Sequence, residues 1–209
     1  MNEDYIKIED EIKYTYSYFI EYVQTYLSNK KTTHCISVAS YGLYIIQFAN
    51  LQVDKRKVAL AGILHDLCRD FSHIKMIKKA EELSISITEY ESKYPVLLHG
   101  PLAANISSTE LKLNDPEIYE AIYWHTTGKA NLGIVGQILY LSDFSEPLRN
   151  YPQAEETRKI LNTQGFEEAL YYAAQERFQL CIKKRNPSPY SIEFLNWLKY
   201  KRKQIINVK

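Results

Sequence analysis

The run Val58-Ala59-Leu60-Ala61-Gly62-Ile63-Leu64 constrains the architecture of this chain more than any other stretch. Asp54, just before it, is the short polar residue type that caps a helix N-terminus, and the spacing predicts a helix over residues 55–67. Such a helix is apolar on nearly all sides, so it must be enclosed by others in the middle of a bundle. The rest of the chain supplies the enclosure. Residues 5–28 carry Tyr, Phe, Ile and Val at mixed three- and four-residue spacing, and 33–49 place Val38, Tyr41, Ile45 and Phe48 on one stripe. Ser72 caps a predicted helix at 73–83, and Thr88 with Glu91 has capping-box spacing for a short one. Residues 97–109 follow Pro95, and Asp115-Pro116 open a helix at 116–126. Further helices are expected at 132–144 and, after Pro152, at 153–161, 166–184 and 191–205. There is no internal repeat and no alternating pattern long enough for a sheet, so the fold class is all-α, a helical bundle with short loops.

The chain has 209 residues, enough for one domain with a real core, or one domain plus an extension. Net charge is +1, from 26 basic and 25 acidic residues. A duplex nucleic-acid binder shows a larger basic excess, so no nucleic-acid partner is expected and any anionic ligand must be held by a local site. Three cysteines, Cys35, Cys68 and Cys181, form no close pair, which argues for a reducing compartment. The acidic start (Glu3, Asp4, Glu9, Asp10, Glu11) is no signal peptide. No apolar run approaches the roughly 20 residues of a membrane span. The expectation is a cytoplasmic protein with no membrane partner.

The predicted central helix ends in His65-Asp66, so the pair emerges from the core into a cleft. Two adjacent side chains leave a helix about 100° apart, and both can face one ion where the helix ends. Around this pair the chain places His34 upstream and His99, His125 and Asp143 downstream. Imidazole with carboxylate suits divalent iron, manganese, zinc or nickel. A carboxylate in the last turn of a helix is electrostatically disfavoured, so Asp143 is best explained by a cation partner. His73 lies outside this series and reads as a surface residue, and Cys68 reads as a small filler at the helix end.

The blocks Thr33-His34, Leu64-His65-Asp66, Leu98-His99-Gly100-Pro101, Trp124-His125-Thr126-Thr127-Gly128 and Ser142-Asp143-Phe144-Ser145-Glu146-Pro147 with Arg149 resemble the YqeK-type HD-domain phosphohydrolases. These are symmetrical diadenosine tetraphosphate hydrolases, and the resemblance covers about residues 30–190. It implies an HD-domain bundle over 31–209 with an added N-terminal helical extension at 1–30. It implies a divalent metal cofactor, iron first, as one or two ions. His34, His65, Asp66 and Asp143 are the implied primary ligands. His99 and His125 are implied to bind a second ion or to face substrate phosphates, which makes Asp66, His99 and His125 the expected catalytic residues. His99, Gly100, Pro101, Thr126 and Arg149 match positions that line the nucleotide. Arg69 stands where the family has Lys. The late Pro-rich turn near the nucleotide reads Asn186-Pro187-Ser188-Pro189-Tyr190-Ser191 and lacks a histidine around Ser188.

The implied activity is metal-dependent cleavage of a dinucleoside polyphosphate to two ADP. An HD nucleotidase acting on mononucleotides is the runner-up. A catalytically silent, nucleotide-sensing HD module is the alternative from another class. A helical extension such as 5–28 often packs against a neighbouring copy, so a homodimer is one expected assembly.

Overall fold

The structure, a computed structural model, describes the backbone of residues 3–183 and 187–208 and the side chains of 5–183 and 187–204. Among the described residues there are twelve α-helices, one short 3-10 turn and no strand. In chain order these are α1 (Glu3–Thr15), α2 (Ser17–Gln24), α3 (Asn29–Phe48), α4 (Lys55–Leu64), α5 (His73–Glu82), α6 (Glu89–Lys93), the 3-10 turn Pro95–Leu98, α7 (His99–Thr109), α8 (Pro116–Trp124), α9 (Ile134–Ser145), α10 (Pro152–Gln164), α11 (Phe166–Lys183) and α12 (Pro189–Val208).

The central helix is α4. Every residue from Val58 to Leu64 is buried, and α4 is packed by α2, α3, α7, α8 and α9. Its crossing with α3 is close because Gly62 faces the backbone of Ala39; a Cβ on Gly62 would lie 2.6 Å from the Ala39 Cα. The predicted caps form. Asp54 accepts from the Arg56 N–H, Ser72 from Lys75, and Asp115 from Glu117 and Ile118. Thr88 and Glu91 make the reciprocal capping box.

Two predicted boundaries are corrected. Residues 5–28 are two helices rather than one. The chain bends at Tyr16 (φ −112°, ψ 23°), which lets Ile8 and Ile12 of α1, then Ile20 and Val23 of α2, reach the same core. The central helix stops at Leu64 rather than residue 67. A chain of tight turns replaces its last stretch, with Leu67 N–H donating to Leu64 O at 3.1 Å and Arg69 N–H to Asp66 O at 2.7 Å. No disulfide joins Cys35, Cys68 or Cys181. Among the described residues, no helix is long and apolar enough to cross a membrane.

Candidate metal centre and phosphate cleft

Three histidines are set at helix ends by one local device. His65 follows α4, His125 follows α8, and His99 opens α7 directly after the 3-10 turn. Each ring places Nδ1 on the carbonyl three residues earlier: His65 on Gly62 O at 2.8 Å, His125 on Ile122 O at 2.7 Å, and His99 on Val96 O. A carbonyl only accepts, so each Nδ1 carries the hydrogen and each neutral ring keeps a lone pair on Nε2. His34, in the middle of α3, is held by a carboxylate instead. Its Nδ1 lies 3.0 Å from Glu146 Oε1 and its Nε2 3.1 Å from Asp143 Oδ1.

The four imidazoles converge on the Asp66 carboxylate. Asp66 Oδ1 is 3.2 Å from His99 Nε2 and 3.6 Å from His125 Nε2, and Oδ2 is 3.8 Å from His65 Nε2. Two donor groups result, His34-His65-Asp66 and Asp66-His99-His125, each with its donor atoms within 4.8 Å of one another. Asp66 belongs to both. Asp143 Oδ1 reaches the first group, at 3.1 Å from His34 Nε2 and 3.8 Å from His65 Nε2.

These donors fit a divalent cation. His65 Nε2 is fully buried and has no hydrogen-bond partner. His99 Nε2 and His125 Nε2 face each other at 2.9 Å, although with both Nδ1 atoms donating, both facing atoms bear lone pairs. A cation beside them resolves both features. Nitrogen and carboxylate oxygen together suit borderline first-row ions.

Protonation states agree with that fit. Burial pushes His65 down to about 4 and lowers His125, so both imidazoles are neutral at neutral pH, the state in which a ring nitrogen can ligate a metal. Burial raises the Asp66 carboxyl, but the imidazoles of His65, His125 and His99 beside it outweigh burial and hold the group well below the usual carboxylate range. Asp143 is likewise held ionised against its burial, chiefly by Arg177 and His34. Burial opposes charging of His34, yet its bonds to Asp143 and Glu146 raise it to about 9. An imidazole in that state would have to release its proton to hold a metal.

Above these groups opens a cleft of about 310 Å³, lined among others by Arg69, Thr126, Arg149, Tyr151, Arg177 and Leu180, with Asp66, His99, His125 and Asp143 at its base. The structure therefore brings Arg69, Thr126 and Arg149 together with His99 and His125. It does not bring Gly100 and Pro101 into this cleft. Gly100 sits where α7 crosses α8, and Pro101 lines a neighbouring cavity with Tyr123, Trp124, Ser188 and Tyr190. Thr126 touches both spaces. Of the late Pro-rich turn, Asn186 lies outside the described residues. Cys68 is fully buried, and burial pushes its thiol up to about 12. His73 is exposed on α5.

Two residues of the site had no role in the sequence reading. Glu146 is 1% exposed; it accepts from Ser37 Oγ at 2.6 Å and the Leu148 N–H at 2.6 Å while holding His34. Arg177 comes from α11 and donates to Asp143 Oδ2 at 2.6 Å. Its signal was present: Leu170, Ala173 and Ala174 are the buried face of α11, and residue 177 continues that helical stripe inward.

The HD-domain family model matches residues 32–160. A symmetrical bis(5'-nucleosyl)-tetraphosphatase of Staphylococcus aureus is 30% identical over 183 residues, covering 86% of this chain and 92% of that one. The Bacillus subtilis protein of the same name is 26% identical over 84% of this chain and 93% of its own. A crystal structure of an HD-superfamily hydrolase from Clostridium acetobutylicum superposes with a TM-score of 0.82 at 24% identity, covering 89% of this chain and 97% of that one. The likeness runs through α3, α4, α7, α8 and α9, the helices that carry the converging histidines and Asp143 or end at them, and by it the chain belongs to the HD-domain family.

Proposed function

We propose that this chain is a divalent-metal-dependent phosphohydrolase that cleaves dinucleoside tetraphosphates symmetrically, diadenosine tetraphosphate to two ADP. One observation carries the reading: a carboxylate, Asp66, shared by two imidazole donor groups at the base of a cleft lined by three arginines. The likeness to the S. aureus and B. subtilis tetraphosphatases, over 86% and 84% of this chain, supports the substrate class. His34, His65, Asp66 and Asp143 would hold one ion, and His99 and His125 a second ion with Asp66 between. Iron is the expected metal, and the same donors accept manganese, nickel or zinc. When bound, a divalent ion lowers the pKa of water to roughly 7 and neutralises phosphoryl charge.

The chain's own groups do the rest. The guanidinium of Arg149 stands 3.1 Å from His34 Nε2 and 3.0 Å from Asp143 Oδ1, at the mouth of the donor set. Guanidinium forks pair with phosphate through two parallel N–H donors, so Arg149 and Arg69 orient the central phosphates. The Thr126 hydroxyl, 3.1 Å from His125 Nε2, is placed to donate to a phosphate oxygen. Fixed donors of this kind stabilise the charge that develops as phosphorus is attacked. Water adds to one of the two central phosphorus atoms, and the bridging oxygen leaves with the other half. Each half departs as a nucleoside diphosphate, and water's protons pass to solvent. Residues 1–30 are read as an extension fused to the HD body through the core contacts of α1 and α2.

The test is product analysis with metal supplied and oxygen excluded. ADP as sole product, lost on chelation, is the expected result. ATP with AMP would overturn the attack position. Turnover of a mononucleotide in place of the tetraphosphate would overturn the substrate class.

A further inference from the structure

Arg177 differs from the other cleft arginines. Its side chain is 19% exposed against 37% for Arg149. The guanidinium carbon lies 4.5 Å from the centre of the Tyr140 ring and 5.4 Å from that of Phe144. Both rings belong to α9, on either side of Asp143 in sequence. Its Nε is buried without a partner, while one terminal nitrogen donates to Asp143 Oδ2 at 2.6 Å. A cation stacked on two rings and tied to a carboxylate is fixed in place; Arg149 shares that carboxylate, donating to Asp143 Oδ1 at 3.0 Å and to the Asp143 carbonyl at 3.2 Å, but is the more exposed of the two.

From this geometry we infer that Arg177 is a positioning residue that restricts Asp143 to one ligating oxygen and weakens the hold of the site on its divalent ion. The inference rests on the proposed role of Asp143 as a metal ligand. A carboxylate offers two oxygens. Arg177 occupies Oδ2 from the buried side, which leaves Oδ1, the atom beside His34 and His65, turned to the donor set; there the more exposed Arg149 also reaches it, at 3.0 Å, and would give way to an ion. The charge of Arg177 lies one carboxylate away from any ion bound there. Like charges a few ångströms apart repel even at the effective dielectric of a protein site. The same charge remains in the cleft, where a tetraphosphate needs cations, so positive charge is moved from an exchangeable ion to the polypeptide.

The experiment is calorimetric titration of chelator-treated protein with Mn²⁺ alone, for wild type, Arg177→Met and Arg177→Lys, with melting temperatures measured in both states. Methionine keeps the stem and the ring contacts without charge; Arg177→Gln serves as the neutral variant if the methionine protein does not fold. We expect the neutral variant to bind Mn²⁺ about tenfold tighter than wild type, an order set by the screened repulsion. It should also gain more melting temperature on Mn²⁺ addition, and Arg177→Lys should stay near wild type. Equal affinity with a parallel loss of melting temperature in both states would show that Arg177 only packs α11 on α9, and would overturn the inference. Weaker binding by the neutral variant would overturn it as well. Failure of wild type itself to bind Mn²⁺ would instead sink the metal site on which the inference stands.

Discussion

Replacing Gly100 with alanine separates two readings of the His99-Gly100-Pro101 block. As a phosphate contact, Gly100 would act on substrate. The structure gives it a packing role: a Cβ there would lie 2.8 Å from Tyr123 O, 3.1 Å from Ile122 O and 3.4 Å from His125 Cε1. Ordinary contacts are roughly 3.5 Å or more, so one carbonyl must retreat by over half an ångström. Both carbonyls are backbone, and a rotamer change cannot relieve them. Helices α7 and α8 must part, and with them His99 and His125, now 2.9 Å apart at Nε2. Overpacking of a tight contact costs about 1–3 kcal/mol. For a chain of this size each kcal/mol moves the melting temperature by roughly 2–4 °C. The expected drop is therefore about 2 kcal/mol, or roughly 4–8 °C. The assay is thermal denaturation with metal content measured on the same preparation. The variant should lose metal from the His99-His125 group and retain it at His34-His65. A melting temperature and metal content equal to wild type, with only KM raised, would refute the packing argument and restore Gly100 as a substrate contact.

Glu146→Gln should lower metal affinity about 10- to 100-fold, because partners that orient a ligating imidazole carry that much; a metal titration equal to wild type would contradict this. Metal-free protein should be most stable near pH 6.5. His65 is held down at about 4 when folded, so the unfolded chain binds more protons and stability falls as pH drops from 6.5 toward 4. His34 is held up at about 9, so its contribution is complete below 6.5 and lost as pH rises through 9. Each arm is worth roughly 3–3.5 kcal/mol at its upper limit. Urea denaturation across this range should show both arms with chelator and a flatter profile with metal; a flat profile with chelator would be inconsistent with the buried imidazoles. Asp115→Ala removes the α8 N-cap, which accepts from two backbone N–H groups. It should cost about 1 kcal/mol of stability with the metal content intact, read by denaturant melts.

Much of this fold was legible because its signals are local. Caps at Asp54, Ser72 and Asp115 and the capping box at Thr88 depend on residues within one turn, and they form as expected. The wholly apolar face of α4 announced its central place. The break at Tyr16 was not legible, since no Pro or Gly marks it; it follows from wrapping two apolar stripes around the same core. The turns after Leu64 escaped for a similar reason. Helical spacing continues through Leu67, while the backbone turns to tighter hydrogen bonds from Leu64 onward, a change that apolar periodicity does not register. At the site, residue types and order pointed to the imidazoles and carboxylates that the structure brings together. The partners that hold them were less visible: Glu146 lies 112 residues from His34 and Arg177 lies 34 from Asp143, distances that only tertiary packing closes. The sequence reading takes Gly100 as a substrate contact because its motif travels with His99; the structure adds a constraint at the crossing of two helices, where a Cβ would meet Tyr123 O.

The most direct test of the account is Asp66→Asn, measured for metal content, melting temperature and ADP release from diadenosine tetraphosphate in one preparation. Asparagine keeps the shape and removes the charge that both donor groups share. The account predicts a folded protein whose metal content falls at both groups and whose ADP formation is lost even with iron or manganese supplied. A variant that keeps its metal and still releases ADP would contradict the placement of catalysis at Asp66.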